Sequence, residues 1–340
     1  MTADWLVNYN YGFVKRGLFG TIILSVTRDK DILLDLLSFS LILIYILIFF
    51  LLNKIYNSKK QNYISVVLIL SPAAFLFPIY DSQGSFRKEI LGFLAILLLA
   101  SSIKTSAKKT YIFMSLLIYS LAVFSHSVNV FLITTIFVLI YVFFDRKSIL
   151  YILFSIPVVS YLFLYYLFSS SEQELYVIRD NICNDLFLIG LQNLCGYGTF
   201  DFLVWDVNAN FLLVQNYIIN ENRNQYYFYF ILFFLSIIPY IFDTKSLKLF
   251  KYYLFISISF IPLFLYAYDW GRWIYIMSFC YLIIYLLSDK SPKNVLTLIL
   301  LFIYPFLYRM EHCCKPMIHF EDNFVYENVF YILEVLKNIT

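Results

Sequence analysis

The sequence predicts an all-α polytopic membrane protein, a transmembrane helical bundle of about 10 spans (10–11). Hydrophobic residues make up 61% of the 340 residues, only 14% are charged, and the mean hydropathy is +0.77. Soluble domains have roughly 45–50% apolar and 25% charged residues. Long apolar runs recur along the chain, and short lysine-containing segments separate them.

Composition also excludes several classes of protein. The net charge is only +3, and the basic residues are distributed among separate loops. The chain therefore lacks the basic patch of a nucleic-acid-binding protein. The five cysteines form neither a CxxC pair nor a His/Cys cluster at zinc-finger spacing. A Gly-rich phosphate loop, a GxSxG elbow and an HExxH motif are missing. We therefore expect no metal and no cofactor, and we find no cleavable signal peptide.

The spans follow a short interfacial or re-entrant segment at residues 1–31. Its apolar run, Leu18 to Thr27, is shorter than the roughly 20 residues that a crossing needs. The candidate spans are 32–53, 63–80, 89–103, 110–125, 127–145, 149–168, 226–242, 251–268, 273–288 and 294–308. We interpret residues 1–340 as a single polytopic domain with one long loop at 169–225 and an amphipathic helical tail at 320–340.

The positions of the lysines predict the orientation. Lysine-rich loops alternate along the chain, and the positive-inside rule places them in the cytoplasm. No lysine occurs between Lys147 and Lys245, so the loop 169–225 is predicted to be periplasmic. The same alternation places both termini outside. Either the 18–27 segment belongs to a tilted or broken helix, or another helix precedes Met1.

This orientation brings unusual polar residues to the outer face from distant parts of the sequence. They are Asp4, Arg16, the motif 81–89, His126, the motif 269–273 and the segment 309–319. Charged residues at the mouth of apolar segments are costly unless they are held by a partner or a ligand. Their convergence therefore predicts a functional site on this face.

Arg87, Lys88 and Glu89 lie at the outer end of a predicted span. The planar fork of an arginine and the point charge of a lysine together suit a pyrophosphate. Glu89 either buffers these charges or accepts a proton from a hydroxyl group. The alternative is interfacial snorkelling without chemistry.

The motif Asp269-Trp270-Gly271-Arg272-Trp273 joins two spans almost without a loop. Arg272 is a second candidate anion ligand, Asp269 a candidate base, and Trp270 and Trp273 are candidate sugar-stacking or lipid-facing rings. The alternative is a tight turn with an aromatic belt and a local ion pair.

Three further features complete the set of candidates. His126 ends a span and is a candidate proton shuttle, or else a hydrogen-bonded structural residue. Arg16 precedes a short apolar helix, where it either anchors the interface or helps to bind an anion. Cys183 and Cys195 share the outer loop and are either bridged or two free thiols.

Four of these motifs together resemble one bacterial membrane-protein family. They are Tyr11-Gly12-Phe13 with Arg16-Gly17-Leu18-Phe19-Gly20, then Phe86-Arg87-Lys88-Glu89-Ile90-Leu91, then the His126 that closes a span, then Asp269-Trp270-Gly271-Arg272. The chain is similar in these motifs and in topology to the Wzy-type polymerases of O-antigen and capsular polysaccharide. Members often have His-Glu where this chain has His126-Ser127. This chain therefore has no acidic residue directly after that histidine.

The resemblance implies a GT-C-like glycosyltransferase of the bacterial inner membrane that works at the periplasmic face. Such an enzyme polymerises repeat units linked to undecaprenyl pyrophosphate, without nucleotide sugar or metal, and a chain-length regulator protein is an expected partner. The implied pyrophosphate ligands are Arg16, Arg87, Lys88 and Arg272, and the implied catalytic residues are Glu89, His126 and Asp269.

Two other functions fit the length and composition. A membrane O-acyltransferase of surface polysaccharide would take its acyl donor from the cytoplasm, whereas the predicted polar set lies outside. A flippase or transporter of lipid-linked oligosaccharide would carry charges near the membrane midplane and an internal repeat. The predicted spans show neither feature.

Overall fold

The computed structural model describes residues 2–57, 63–103, 105–144, 148–168, 170–196, 198–204, 207–221, 223–241, 247–288 and 310–313. This part of the chain is helical and contains no strand. The α-helices are α1 (Thr2–Leu6), α2 (Leu18–Val26), α3 (Lys30–Asn57), α4 (Tyr63–Ile69), α5 (Phe77–Tyr80), α6 (Ser82–Ser85), α7 (Glu89–Ser102), α8 (Lys108–Ser125), α9 (Ile133–Phe143), α10 (Ser148–Leu167), α11 (Glu172–Leu188), α12 (Asp201–Val204), α13 (Val207–Asn216), α14 (Arg223–Ile241), α15 (Leu247–Tyr266) and α16 (Trp270–Leu287). Two 3₁₀ segments (Ser127–Leu132 and Gln192–Cys195) and one π-helical turn (Tyr217–Glu221) complete the described elements.

The chain divides into two compact units. Unit 1 comprises Met1–Ser58 and Phe86–Phe211, and unit 2 comprises Lys59–Ser85 and Leu212–Thr340. The motif 81–89 is therefore shared: Asp81 belongs to unit 2, whereas Arg87, Lys88 and Glu89 belong to unit 1.

Unit 1 is built around α7. Every residue of this helix except Leu98 is buried, and the helix packs against α3 and α8. A helix that is covered on all sides needs apolar residues on all sides, which the run from Ile90 to Ala100 supplies. The charged residues Lys88 and Glu89 stand at its first turn, where they enter the interior of the unit.

A polar helix and a disulfide lie in the predicted outer loop of unit 1. Ser171 begins α11 with a capping box, in which its hydroxyl accepts from the backbone of Glu174 and the Glu174 carboxylate accepts from Ser171 N. Cys183 on α11 is bonded to Cys195. Of the two alternatives for these cysteines, the structure therefore has the bridge.

Unit 2 is built around α16. All residues from Gly271 to Leu287 are buried, and the helix packs against α14 and α15. Its first turn also carries charge, because Asp269 and Arg272 stand there. The glycine at 271 is required by packing, since a Cβ atom would lie 1.8 Å from the carbonyl oxygen of Glu311.

The all-helical prediction is confirmed for the described residues, and four helices are long and apolar enough to span a membrane. They are Lys30–Asn57, Ser148–Leu167, Leu249–Tyr266 and Trp270–Leu287. Shorter apolar helices occupy Glu89–Ser102, Ser127–Phe143 and Tyr226–Ile237. The count of about ten spans stays a prediction, and the predicted span 294–308 and tail 320–340 lie outside the described residues.

The prediction of one continuous span at 63–80 is wrong. The structure has α4 and α5 there, with tight turns from Leu70 to Leu76 between them. Ala74 N donates to Ser71 O at 2.9 Å and Phe75 N to Ile69 O at 3.0 Å. Pro72 has no backbone N–H to donate, so the helix ends before it.

The predicted loop 169–225 contains three helices, α11 to α13.

We expect the Cys183–Cys195 bridge to stabilise unit 1. Replacing both cysteines by alanine should lower the free energy of unfolding by about 3 kcal/mol, the loop entropy released for a crosslink of this span. Thermal unfolding of the detergent-solubilised protein measures the change. Cys280→Ala, which removes a buried cysteine of α16 outside any disulfide and leaves the bridge intact, is the control. A double variant that unfolds at the wild-type midpoint would contradict the prediction.

We expect Gly20→Ala to destabilise the packing of α2. A Cβ atom at position 20 would lie 2.0 Å from the carbonyl oxygen of Val7, so the backbone must move. The cost should be about 1–3 kcal/mol in the free energy of unfolding. Gly196→Ala is the matched control, because its Cβ atom would have no neighbour closer than 3.9 Å. Equal melting temperatures for the two variants would argue against this packing.

Candidate functional site

Arg16 and Asp4 form an ion pair at the centre of the candidate site in unit 1. The Nη1 atom of Arg16 lies 3.2 Å from Oδ1 of Asp4, with side-chain exposures of 13% and 1%. The other carboxylate oxygen, Oδ2 of Asp4, has no hydrogen-bond partner in the described part of the chain. Asp4 was placed on the outer face by the sequence but was not assigned a role, because a single acidic residue near Met1 carries no motif.

The loop that carries Arg16 is held on both sides. The hydroxyl of Tyr161 donates to the carbonyl of Lys15 at 3.1 Å, and the hydroxyl of Tyr9 donates to the carbonyl of Phe124 at 2.6 Å. Gly17 is required next to Arg16, because a Cβ atom there would lie 2.1 Å from the ring of Tyr9. These contacts fix the backbone of the arginine between α1 and α2.

Lys88 connects this loop to the buried helix α7. It occupies the N-cap position, is fully buried, and donates from Nζ to the carbonyl oxygen of Arg16 at 2.6 Å. Asn129 donates in turn to the carbonyl of Lys88 at 3.4 Å and to that of Ala122 at 2.9 Å. The ammonium group therefore binds backbone, while the guanidinium of Arg16 keeps some exposure.

Glu89 and His126 form a buried carboxylate–imidazole pair. The Nε2 atom of His126 lies 3.8 Å from Oε1 of Glu89, and both side chains are at most 4% exposed. The Nδ1 atom accepts a hydrogen bond from Val128 N at 3.2 Å. A neutral imidazole in this arrangement carries its proton on Nε2, which faces the carboxylate. At 3.8 Å the two groups interact electrostatically and lie beyond hydrogen-bond distance.

Arg87 stands at the edge of the same cluster. Its side chain is half-buried, and the preceding carbonyl, Phe86 O, accepts from the indole Nε1 of Trp5 at 2.8 Å. The positive charge of Arg87 acts on Asp4, as do the charges of Arg16 and Lys88. The structure thus gathers the predicted residues Arg16, Arg87, Lys88, Glu89 and His126 in one place within unit 1.

The charges in this cluster depend on one another. Burial by itself would raise the pKa of Asp4, but the charges of Lys88, Arg16 and Arg87, together with that of His126 when its ring is protonated, hold this pKa well below its usual range. Burial lowers the pKa of Lys88 to about 8, and Arg16 adds to this effect while Asp4 and Glu89 oppose it. The site therefore keeps an ionised carboxylate and several cations inside a mostly apolar unit.

The second set of predicted residues lies in unit 2, at the start of α16. The Nη1 atom of Arg272 lies 2.7 Å from Oδ2 of Asp269, and its guanidinium carbon lies 4.5 Å from the centre of the Trp273 ring. Trp273 is 2% exposed, so its ring is covered. The indole of Trp270 donates to Phe264 O at 3.0 Å and packs edge-on against Tyr226.

The structure adds two residues that sequence reasoning did not select. The Asp81 carboxylate accepts from the backbone N and the ring Nδ1 of His312, across 231 positions of sequence. Asp81 lies in the 81–89 motif and His312 in the polar segment 309–319, so each position had a signal. Their pairing had none, because it arises only when the two segments meet in unit 2.

A three-ligand metal centre at this place is incomplete. Ligand atoms of Asp269, His312 and Cys313 lie within 4.8 Å of one another. Cys313 is disulfide-bonded, however, and so does not offer a thiolate. Elsewhere in the described ranges no further cluster of three such residues is found.

Comparison with protein-family models, with curated proteins and with solved structures finds no match. The class of the protein therefore rests on its own features: the described residues are helical, and four of their helices are long and apolar enough to span a membrane. The expectation that both sets of charged residues converge on one periplasmic face stays a prediction.

We expect the lowered pKa of Lys88 to make folding more favourable at alkaline pH. Between about pH 8, where folded Lys88 loses its proton, and pH 10.5, where the unfolded lysine does, the unfolded state binds more protons. Stability of the solubilised protein should therefore rise across this window. The Lys88→Met variant should lack the rise, measured by chemical denaturation at each pH. Lys30→Met, at the exposed start of α3, is the control. Parallel pH profiles for wild type and Lys88→Met would refute the interpretation.

Proposed function

We propose that this protein polymerises lipid-linked repeat units of O-antigen or capsule at the periplasmic face of the inner membrane. The donor would be a glycan on undecaprenyl pyrophosphate, and the acceptor a hydroxyl group of a second lipid-linked unit. The observation that carries the proposal is the concentration of Arg16, Arg87 and Lys88 around a carboxylate–imidazole pair inside unit 1.

The cations suit a departing diphosphate. In glycosyl transfer the acceptor oxygen forms a bond to the anomeric carbon, the bond to the diphosphate oxygen breaks, and the diphosphate leaves with the negative charge. Preorganised positive charge stabilises such a leaving group by several kcal/mol. Arg16 and the half-buried Arg87 would make the direct contacts, whereas Lys88 would hold the Arg16 backbone and contribute its charge at a distance.

The proton of the attacking hydroxyl needs an acceptor. Glu89 would take this proton, and the Nε2–H of His126 would stabilise the carboxylate and orient it. Arg272, Asp269 and Trp270 lie in unit 2, and their roles in pyrophosphate binding, base catalysis and sugar stacking stay sequence-based predictions. A covered ring such as Trp273 would support Arg272 rather than stack on a sugar itself.

Deleting the gene in its host should leave lipid-linked acceptors that carry a single repeat unit. Gel electrophoresis of the surface polysaccharide would then show one unit in place of a ladder. Full ladders with altered acetylation would instead indicate the acyltransferase, and complete loss of units the flippase. Either result would reject the proposed function.

The Arg87→Ala variant, expressed in the deletion strain, tests the site itself. We expect polymer formation to fall by about a hundredfold, the usual cost of losing one preorganised charge donor at a transition state. Arg179→Ala, which removes an arginine of the same unit that is paired with Asp180 on α11, should keep the wild-type ladder. A wild-type chain-length distribution for Arg87→Ala, with normal protein levels, would show that the assignment is wrong.

A further inference from the structure

Unit 2 contains a second carboxylate–imidazole pair that the proposed function does not use. Asp81 is 7% exposed, and both of its oxygens are bonded. Oδ1 accepts from Gly84 N at 2.9 Å, and Oδ2 accepts from the backbone N and from the ring Nδ1 of His312. The carboxylate is thus fixed by the turn that follows it and fixes the imidazole in turn.

The backbone around His312 is also held in place. Its carbonyl oxygen accepts from Gly271 N at 3.1 Å and from Arg272 N at 3.4 Å, at the start of α16. The carbonyl of Glu311 accepts from the hydroxyl of Tyr229 at 3.1 Å. A group that must be aimed at a reacting atom needs this kind of support, since small displacements reduce its effect.

The hydrogen bonds of His312 indicate which of its ring nitrogens carries the proton. Burial would raise the pKa of Asp81, but the side-chain hydrogen bond from His312 and the backbone N–H groups of Gly84 and His312 lower it, so the carboxylate is ionised. An ionised carboxylate only accepts hydrogen bonds, so Nδ1 carries a proton and a neutral ring has its lone pair on Nε2. The side chain of His312 is 19% exposed and can be reached.

The remaining charged groups near the ring come from α16 and from the neighbouring residue. Asp269 has a carboxylate oxygen within 4.8 Å of a ring nitrogen of His312. That carboxylate is already paired with Arg272 at 2.7 Å, so it does not compete with Asp81 for the imidazole. Glu311 adds a third carboxylate next to His312 in sequence.

We propose that His312 is a general base in unit 2, oriented by Asp81, which exchanges a proton with a hydroxyl group of a bound carbohydrate. In this assignment His312, rather than Glu89, receives the proton of the acceptor hydroxyl. The N–H bond of Nε2 forms as the O–H bond breaks, the oxygen bonds to the anomeric carbon, and the diphosphate leaves with the electron pair of the broken C–O bond. Asp81 stabilises the resulting imidazolium and remains ionised. The proton transfer is inferred from the geometry of unit 2. The choice of a carbohydrate as the ligand rests on the proposed function.

A purely structural role is the competing explanation, because the pair also ties residues 310–313 to α16. Two substitutions separate the roles. His312→Asn keeps an amide N–H close to the position of Nδ1 and can still bond to Asp81, but it has no Nε2. Asp81→Asn keeps the shape of the side chain but can donate to the ring, which moves the ring proton to Nε2.

The first measurement does not depend on knowing the substrate. The full-length protein, in detergent, is treated with diethyl pyrocarbonate, which reacts with an unprotonated imidazole nitrogen, and modified peptides are quantified by mass spectrometry. We expect His312 to react readily. His126, which is 2% exposed and whose Nδ1 accepts from Val128, should react slowly. In Asp81→Asn the His312 rate should fall by roughly tenfold or more, because Nε2 then carries the proton.

The second measurement is polymer formation in the deletion strain. We expect His312→Asn to lose at least about a hundredfold in activity, a typical share for a general base, while its melting temperature stays near that of the wild type. Asp180→Asn, on α11 of unit 1, is the control and should leave the reactivity of His312 unchanged. An unreactive His312 in the wild type, an unchanged rate in Asp81→Asn, or a fully active His312→Asn would overturn the assignment. A deletion strain with normal ladders would reject the polymerase function. The measured reactivity of His312 would then decide by itself whether this residue can act as a base.

Discussion

A buried ammonium group at the first turn of a buried helix is the constraint on which unit 1 depends. Lys88 is fully buried, and its partner is the carbonyl oxygen of Arg16 at 2.6 Å. An unpaired charge in that position would be too costly, so the loop 15–17 must stay where it is. With it stay the guanidinium of Arg16 and the carboxylate of Asp4.

The two units place charged residues at the start of a buried helix in similar ways. In each, one almost wholly buried helix, α7 or α16, has charged residues at its first turn, and a segment distant in sequence contacts that turn. In unit 2 that segment is 310–313, held through Asp81 and through the first N–H groups of α16. Charge at such positions is expensive, and its retention in both units is the physical reason to look for function there.

Much of this could be predicted from local patterns. Apolar runs predicted most helices of the described chain, and unusual polar residues pointed to Arg16, Arg87, Lys88, Glu89 and His126, which the structure brings together. The continuous span 63–80 failed because hydropathy alone does not register Pro72 and the turns that surround it. Asp81 and His312 were passed over as partners because nothing near either residue indicates the other.

The sequence by itself determined the class: an all-helical, strongly apolar chain, because hydrophobicity and helix formation depend on neighbouring residues. Tertiary structure alone decided which charges meet, because such pairs join side chains from different elements. Lys88 finds the carbonyl of Arg16 across 72 positions, and Asp81 finds His312 across 231. The tertiary structure also decided that the ammonium group of Lys88 binds a backbone carbonyl while the Arg16 side chain stays partly exposed. The residue types alone do not predict this difference.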